Sequence, residues 1–194
     1  MLSVVVASVS CNTRAITTDE ARVRGSRRSE PYRGAEPMTT TPMMPTDWFF
    51  EDFAEGQVFR TQARTITESD LVTFAGWSWD TNPVHTDAVS TAEGRFGGPI
   101  AHGMLGLSVL LGLASRVGVF DGCSVALLGI DGWRFHLPIR PGDTVRGEIT
   151  ITGTRLTSSG QTGVLERRFE LFGAGEELVQ SGRIDLMVTC RPTG

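Results

Sequence analysis

Lysine is absent from the 194-residue chain, and all 18 basic residues are arginine. A Schiff-base lysine and a phosphate-loop lysine are therefore excluded from its chemistry. Cysteine is scarce. Cys11, Cys123 and Cys190 are far apart and odd in number, so they make neither a disulfide framework nor a zinc cluster, and they point to a reducing compartment. Three histidines are too few for a multi-histidine metal centre. Positive charge is also short: 18 basic against 22 acidic residues give a net charge of -4. That is the wrong balance for a protein that binds nucleic acid by displacing counterions. Long apolar runs are missing as well. Met104–Ala114 spans 11 residues before Ser115 and Arg116, well below the roughly 18 of a membrane span. A cytoplasmic protein with no membrane partner is expected.

What is present is globular, with 40% hydrophobic and 21% charged residues. Residues 1–46 differ from the rest. They hold six Arg and four acids among many Ser and Thr, with no apolar periodicity after Val9. Leu2–Val9 is apolar but short, no basic residue precedes it, and Ser8-Val9-Ser10 is a poor cleavage site before Cys11, so no export signal is expected. Asp19, Glu20 and Glu30 count against a transit peptide. The segment reads as a disordered extension, or as an over-long start upstream of Met38, Met43 or Met44. Its removal is expected to leave thermal stability unchanged. Residues 47–194 then form the single folded domain.

Within that domain Val58–Thr65 reads as a strand. Thr67-Glu68-Ser69-Asp70 matches a capping box, and Leu71, Phe74 and Ala75 continue it at helical spacing to about Trp77. Ser78–His85 reads as a loop, because Asn82 before Pro83 disfavours helix. Asp87 is placed to cap a helix. After Gly97-Gly98-Pro99 a second helix, apolar nearly all round, runs to about Val117, and it reads as a fully buried core element. The last third alternates with period two: Val145, Gly147, Ile149 and Ile151 on one face, then Leu165, Phe169 and Leu171, then Gly182, Ile184, Leu186 and Val188. The clusters Pro141-Gly142-Asp143, Ser158-Ser159-Gly160 and Gly173-Ala174-Gly175 are turns. An antiparallel sheet covering one buried helix is the simplest solution, an α+β fold.

The polar information concentrates between Asp80 and Gly103. A carboxylate and an imidazole five residues apart, on a loop held by Asn82-Pro83, can converge on a water molecule; equally, each can be a turn residue satisfying backbone groups. Ala101-His102-Gly103-Met104 opens the apolar helix. Its unpaired N–H groups could polarise a carbonyl oxygen, or Gly103 could simply permit close packing.

In combination these residues are specific. Phe74-Ala75-Gly76, Asp80-Thr81-Asn82-Pro83-Val84-His85-Thr86-Asp87 and Phe96-Gly97-Gly98-Pro99-Ile100-Ala101-His102-Gly103-Met104 resemble the MaoC-like family of (R)-specific enoyl-CoA hydratases. Phe50-Glu51-Asp52-Phe53 with Gly56, and Pro138 with Arg140-Pro141-Gly142-Asp143, extend the resemblance over about Asp47 to Thr189. It implies a hot-dog fold, an antiparallel sheet wrapped around the long helix, in a homodimer or dimer of dimers with the acyl pocket at the seam. It further implies that Asp80 and His85 form the hydratase dyad and that the Gly103 N–H binds the thioester carbonyl. Asn82 supports the loop, and His102 shapes the start of the helix. The substrate would be a 2-enoyl thioester of CoA or an acyl carrier protein, with no metal and no cofactor beyond the thioester carrier. His136, after Trp133-Arg134-Phe135, reads as a strand residue. One position departs from the family: Trp79 stands where its members usually have Gly, and its ring is expected to reshape the loop or pocket.

Two other functions compete. A hot-dog thioesterase would hydrolyse the thioester, but such enzymes generally place a carboxylate on the buried helix, and Ile100–Val117 contains no Asp or Glu. A non-catalytic acyl-CoA-binding subunit would have no need of both Asp80 and His85.

Overall fold

The capping box forms as spaced. Thr67 Oγ1 accepts the Asp70 N–H at 3.2 Å, and Asp70 Oδ2 accepts the Thr67 N–H at 2.8 Å, opening helix α1 (Glu68–Ser78). Burial works against the Asp70 anion, but its bonds to Thr67 and its pairing with Arg64 hold the carboxyl below the ordinary range. The box therefore stabilises the fold at neutral pH, and that contribution is lost as pH falls through the carboxylate range. The computed structural model describes residues 48–192; the 1–46 extension expected from sequence lies outside the described residues.

Helix α1 ends at Trp79, which takes the left-handed conformation at φ 63° and ψ 9°. Glycine is the usual residue at such a helix stop because a Cβ crowds the following carbonyl there. In the single chain the Trp79 ring is 89% exposed and does not border the cleft described below. What Trp79 perturbs is the backbone. Trp79→Gly is expected to raise the unfolding free energy by about 0.5–1 kcal/mol in urea denaturation, and a decrease would contradict this reading.

Two one-turn helices follow, α2 (Pro83–Thr86) and α3 (Ala88–Thr91), the latter capped by Asp87. The long helix α4 spans Gly103–Ser115. The strands are β1 (Val58–Arg60), β2 (Arg64–Thr65), β3 (Ser124–Phe135), β4 (Thr144–Leu156), β5 (Thr162–Gly173) and β6 (Leu178–Thr189). They form one antiparallel sheet in the order β1-β4-β5-β6-β3, with β2 also on β4. Val145, Ile149 and Ile151 of β4, Leu165, Phe169 and Leu171 of β5, and Ile184, Leu186 and Val188 of β6 are buried together with Leu105, Val109, Leu110 and Leu113 of α4. The helix comes so close to the sheet that a Cβ at Gly147 would strike Leu110.

Several expectations need correction. Val58–Thr65 is two short strands, because Thr61 Oγ1 accepts the Gly147 N–H at 2.8 Å in place of a ladder carbonyl. Pro83 starts a helix instead of leaving a loop: the extended backbone that proline imposes on Asn82 is what an N-cap needs, and Asn82 Oδ1 accepts the Val84 N–H at 3.1 Å. His136 lies one residue beyond β3, its N–H donating to the Val179 carbonyl at 2.9 Å. Helix α4 is buried on most of its circumference but not all of it. Met104, Ser108, Gly112 and Ser115 are exposed and Leu111 is half-buried, leaving one uncovered stripe along its length.

Strand β3 pairs only with β6, and its other edge is unpaired among the described residues. Val125, Leu127, Leu128, Ile130 and Phe135 on it are exposed. A 12-residue apolar edge strand is a template for pairing with another chain.

Candidate active site

The Asp80–Gly103 segment is drawn together by His102. This ring, 3% exposed, places Nε2 at 2.8 Å from the Asp80 carbonyl. It also stacks on His85 with ring centroids 3.8 Å apart and packs against Phe74 at 5.0 Å. Donation to a carbonyl places a proton on Nε2, and the buried Nδ1 has no hydrogen-bond partner among the described residues. His102 thus holds both the Asp80 backbone and the His85 ring.

His85 sits in the last turn of α2, and its Nδ1 donates to the Ile100 carbonyl at 2.8 Å. That bond turns Nε2 toward Asp80, whose Oδ2 is 3.9 Å away. The gap is longer than a direct hydrogen bond, and one water could bridge it. The Asp80 side chain is 54% exposed, and its Oδ1 accepts the Asn82 N–H at 3.3 Å. Asn82 therefore supports the loop twice, through its own N–H and as the cap of α2. Because Nδ1 is committed, Nε2 is the working atom of His85. Unprotonated it accepts a proton; protonated it pairs with Asp80 and can donate one.

Gly103 occupies the first turn of α4, where helical N–H groups lack intrahelical partners. His85, Gly103, Met104, Phe96, Phe135 and Arg95 border a mostly apolar cleft of about 520 Å³. A Cβ on Gly103 would run into the Phe135 ring. The cleft thus contains the imidazole and the helix start, with the Asp80 carboxylate beyond His85. Donor atoms of Asp80, His85 and His102 lie within 4.8 Å of one another. However, His102 Nε2 is committed to a carbonyl and its Nδ1 is sealed, so the free donors are those of a dyad.

Sequence reasoning missed Gln180, which lines the same cleft and is 2% exposed. Its Nε2 donates to the Gly103 carbonyl at 3.1 Å, and its Oε1 accepts from Trp133 Nε1 at 3.3 Å, tying the start of α4 to the sheet. An amide in the apolar run Leu178-Val179 was the available signal. His102→Leu is expected to lower kcat about 100-fold with little change in KM. His102→Gln, which can keep an N–H near the Nε2 position, should recover part of that loss; equal losses in both variants would contradict the positioning role.

Comparison with known proteins identifies the family. Residues 52–169 match the MaoC-like domain family, and the chain belongs to that family. It is 35% identical over 153 residues to an (R)-specific enoyl-CoA hydratase of Rhodospirillum rubrum, covering 74% of this chain and 93% of that protein. It is also 35% identical over 118 residues to the protein MaoC of Klebsiella aerogenes, which covers 61% of this chain but only 34% of MaoC. Among solved structures, a monoamine oxidase regulatory protein of Archaeoglobus fulgius superposes with a TM-score of 0.69 at 30% identity, over 74% of this chain and 95% of that one. A Mycobacterium tuberculosis protein with a double hotdog fold superposes at 0.66 and 24% identity, over 77% of this chain and 46% of that one, a likeness of fold alone. The fold is the hot-dog fold.

Proposed function

We propose that the protein adds water reversibly to a 2-enoyl thioester, giving the (R)-3-hydroxyacyl thioester. Hydratase/dehydratase chemistry is supported by the family and by relatives named as (R)-specific enoyl-CoA hydratases. The observation that carries the reading is His85 Nε2, 3.9 Å from the Asp80 carboxylate, so that one water beside the pair can bond to both, next to the first turn of an apolar helix.

A 2-enoyl thioester is electrophilic at C3. Water held between Asp80 and His85 attacks there, and its proton passes to Asp80. The C2–C3 π electrons move toward the thioester oxygen, and the enolate is stabilised by the Gly103 N–H and the positive end of the α4 dipole. Protonated His85 then gives its Nε2 proton to C2, and the proton on Asp80 returns to His85, which balances the cycle. Dehydration runs the same steps backward. The carrier is CoA or an acyl carrier protein, and no other cofactor enters these steps. A homodimer completes the cleft: Met104 and Phe135 border it and remain exposed in the single chain, on the side of the uncovered β3 edge.

Crotonyl-CoA separates the competing activities. Hydration bleaches the enoyl thioester absorbance without releasing thiol. Release of free thiol would make the protein a thioesterase, and binding with neither change would make it a non-catalytic subunit.

A further inference from the structure

Arg167 on β5 plays no part in the chemistry above, yet it is 3% exposed in the core. Its guanidinium carbon lies 4.9 Å from the Phe120 ring centroid and 5.0 Å from that of Phe169. Nε donates to the Ile184 carbonyl at 3.0 Å. Among the described residues, the two Nη groups have no acceptor and no carboxylate lies within ion-pair distance. The neighbouring acids are engaged elsewhere: Asp185 pairs with Arg183, and Asp121 accepts from Ser115 Oγ at 3.1 Å. Burial pulls the guanidinium down to about 10, opposed by the Asp185 charge, so it is still a cation at neutral pH. The Nη atoms are not sealed: they face the recess, while the Arg167 backbone N–H donates to Asp185 Oδ1 at 3.4 Å. A ligand that displaces solvent there must supply acceptor atoms to avoid a desolvation cost.

The two rings, the guanidinium, Leu111, Ser115 and Asp121 line a recess of about 140 Å³. Leu111 and Ser115 belong to the uncovered stripe of α4, and Met104 at the other end of that stripe borders the catalytic cleft. Leu111 is eight residues beyond Gly103, about 12 Å along the helix axis. An acyl chain whose carbonyl rests at Gly103 and which follows this stripe would bring its far end to the recess.

We propose that the recess receives the distal end of the acyl group and that Arg167 recognises an acceptor oxygen there, of a ketone or a carboxylate. The proposal rests on the hydratase reading for where the thioester sits. A plain hydrocarbon end would leave the Nη donors unsatisfied, whereas an oxygen would give them the bonds that the protein does not. Asp121 on the recess wall reduces the net positive field, which lowers the advantage of a charged acceptor over a neutral one.

The test is binding of saturated acyl-CoA thioesters, which cannot be hydrated, to the full-length chain by titration calorimetry. Three ligands of matched length end in a methyl group, a methyl ketone or a carboxylate. One oxygen-ended ligand or both should bind about 10-fold or more tighter than the methyl-ended one, since a hydrogen bond to a charged group contributes about 1.5–3 kcal/mol. Arg167→Leu should abolish the preference. Leu111→Trp, which fills the recess from the helix side, should do so as well if the arginine variant does not fold. Preference for the methyl end, equal affinities in the unmodified protein, or a preference that survives Arg167→Leu would each overturn the proposal. Crotonyl-CoA turnover is read separately: its four-carbon chain is too short to reach the recess, so its failure would count against hydration and not against tail recognition.

Discussion

Asp80→Asn and His85→Ala are each expected to lower kcat for hydration about 1000-fold or more, because each removes one of the two proton-handling groups. The fold should survive both changes. The Asp80 carboxylate is more than half exposed, and its one structural bond, from the Asn82 N–H, can be kept by an asparagine oxygen. His85→Ala removes the bond to the Ile100 carbonyl and the stack on His102, a loss of about 1–2 kcal/mol. Circular dichroism and thermal melts check the fold, and steady-state rates check the chemistry. Near-normal turnover in either variant would remove the dyad.

The second large effect is at the β3 edge. Leu128 is 46% exposed and falls where the β3–β6 register slips between Leu127 and Gly129. A single charge there costs the lone chain little, but it falls in the middle of the proposed seam, which needs apolar complementarity. Light scattering on the unmodified protein should give at least twice the 21.0 kDa chain mass. Leu128→Asp should shift it toward the monomer, because an unmatched charge across an interface costs several kcal/mol. Turnover should fall with it, since Met104 and Phe135 then stay open to water. A monomeric unmodified protein with full activity would contradict a shared cleft.

The parts of the fold legible in the sequence are those where one local rule decides. The Thr67 box set the start of α1, and strict alternation from Val145 to Ile151 marked the buried face of β4. Only the end of strand β3, at Trp133-Arg134-Phe135, read as strand; the rest was hidden because Val125, Leu127, Leu128 and Ile130 do not alternate: most of the strand is left open in the single chain, and register slips interrupt its ladder. Asn82-Pro83 was misread because one steric restriction forbids helix at residue 82 and also prepares it as a cap. At the site, the combined motif singled out Asp80, His85 and Gly103 as candidates, and the structure brings them to one end of α4. The double grip of His102 was not, since it depends on two rings separated by 17 positions meeting face to face. Arg167 went unread in the sequence although it shares strand parity with the buried Leu165 and Phe169, because nothing local indicates that a cation would stay on that face.

Hydration is tested most directly by running the reaction of crotonyl-CoA in oxygen-18 water and locating the label. If water held by Asp80 and His85 attacks C3, one heavy oxygen appears in the 3-hydroxyl of an intact (R)-3-hydroxybutyryl thioester, and none appears in a free carboxylate. Label in a released acid, or crotonyl-CoA recovered with no 3-hydroxybutyryl thioester formed after prolonged incubation with folded protein, would contradict it.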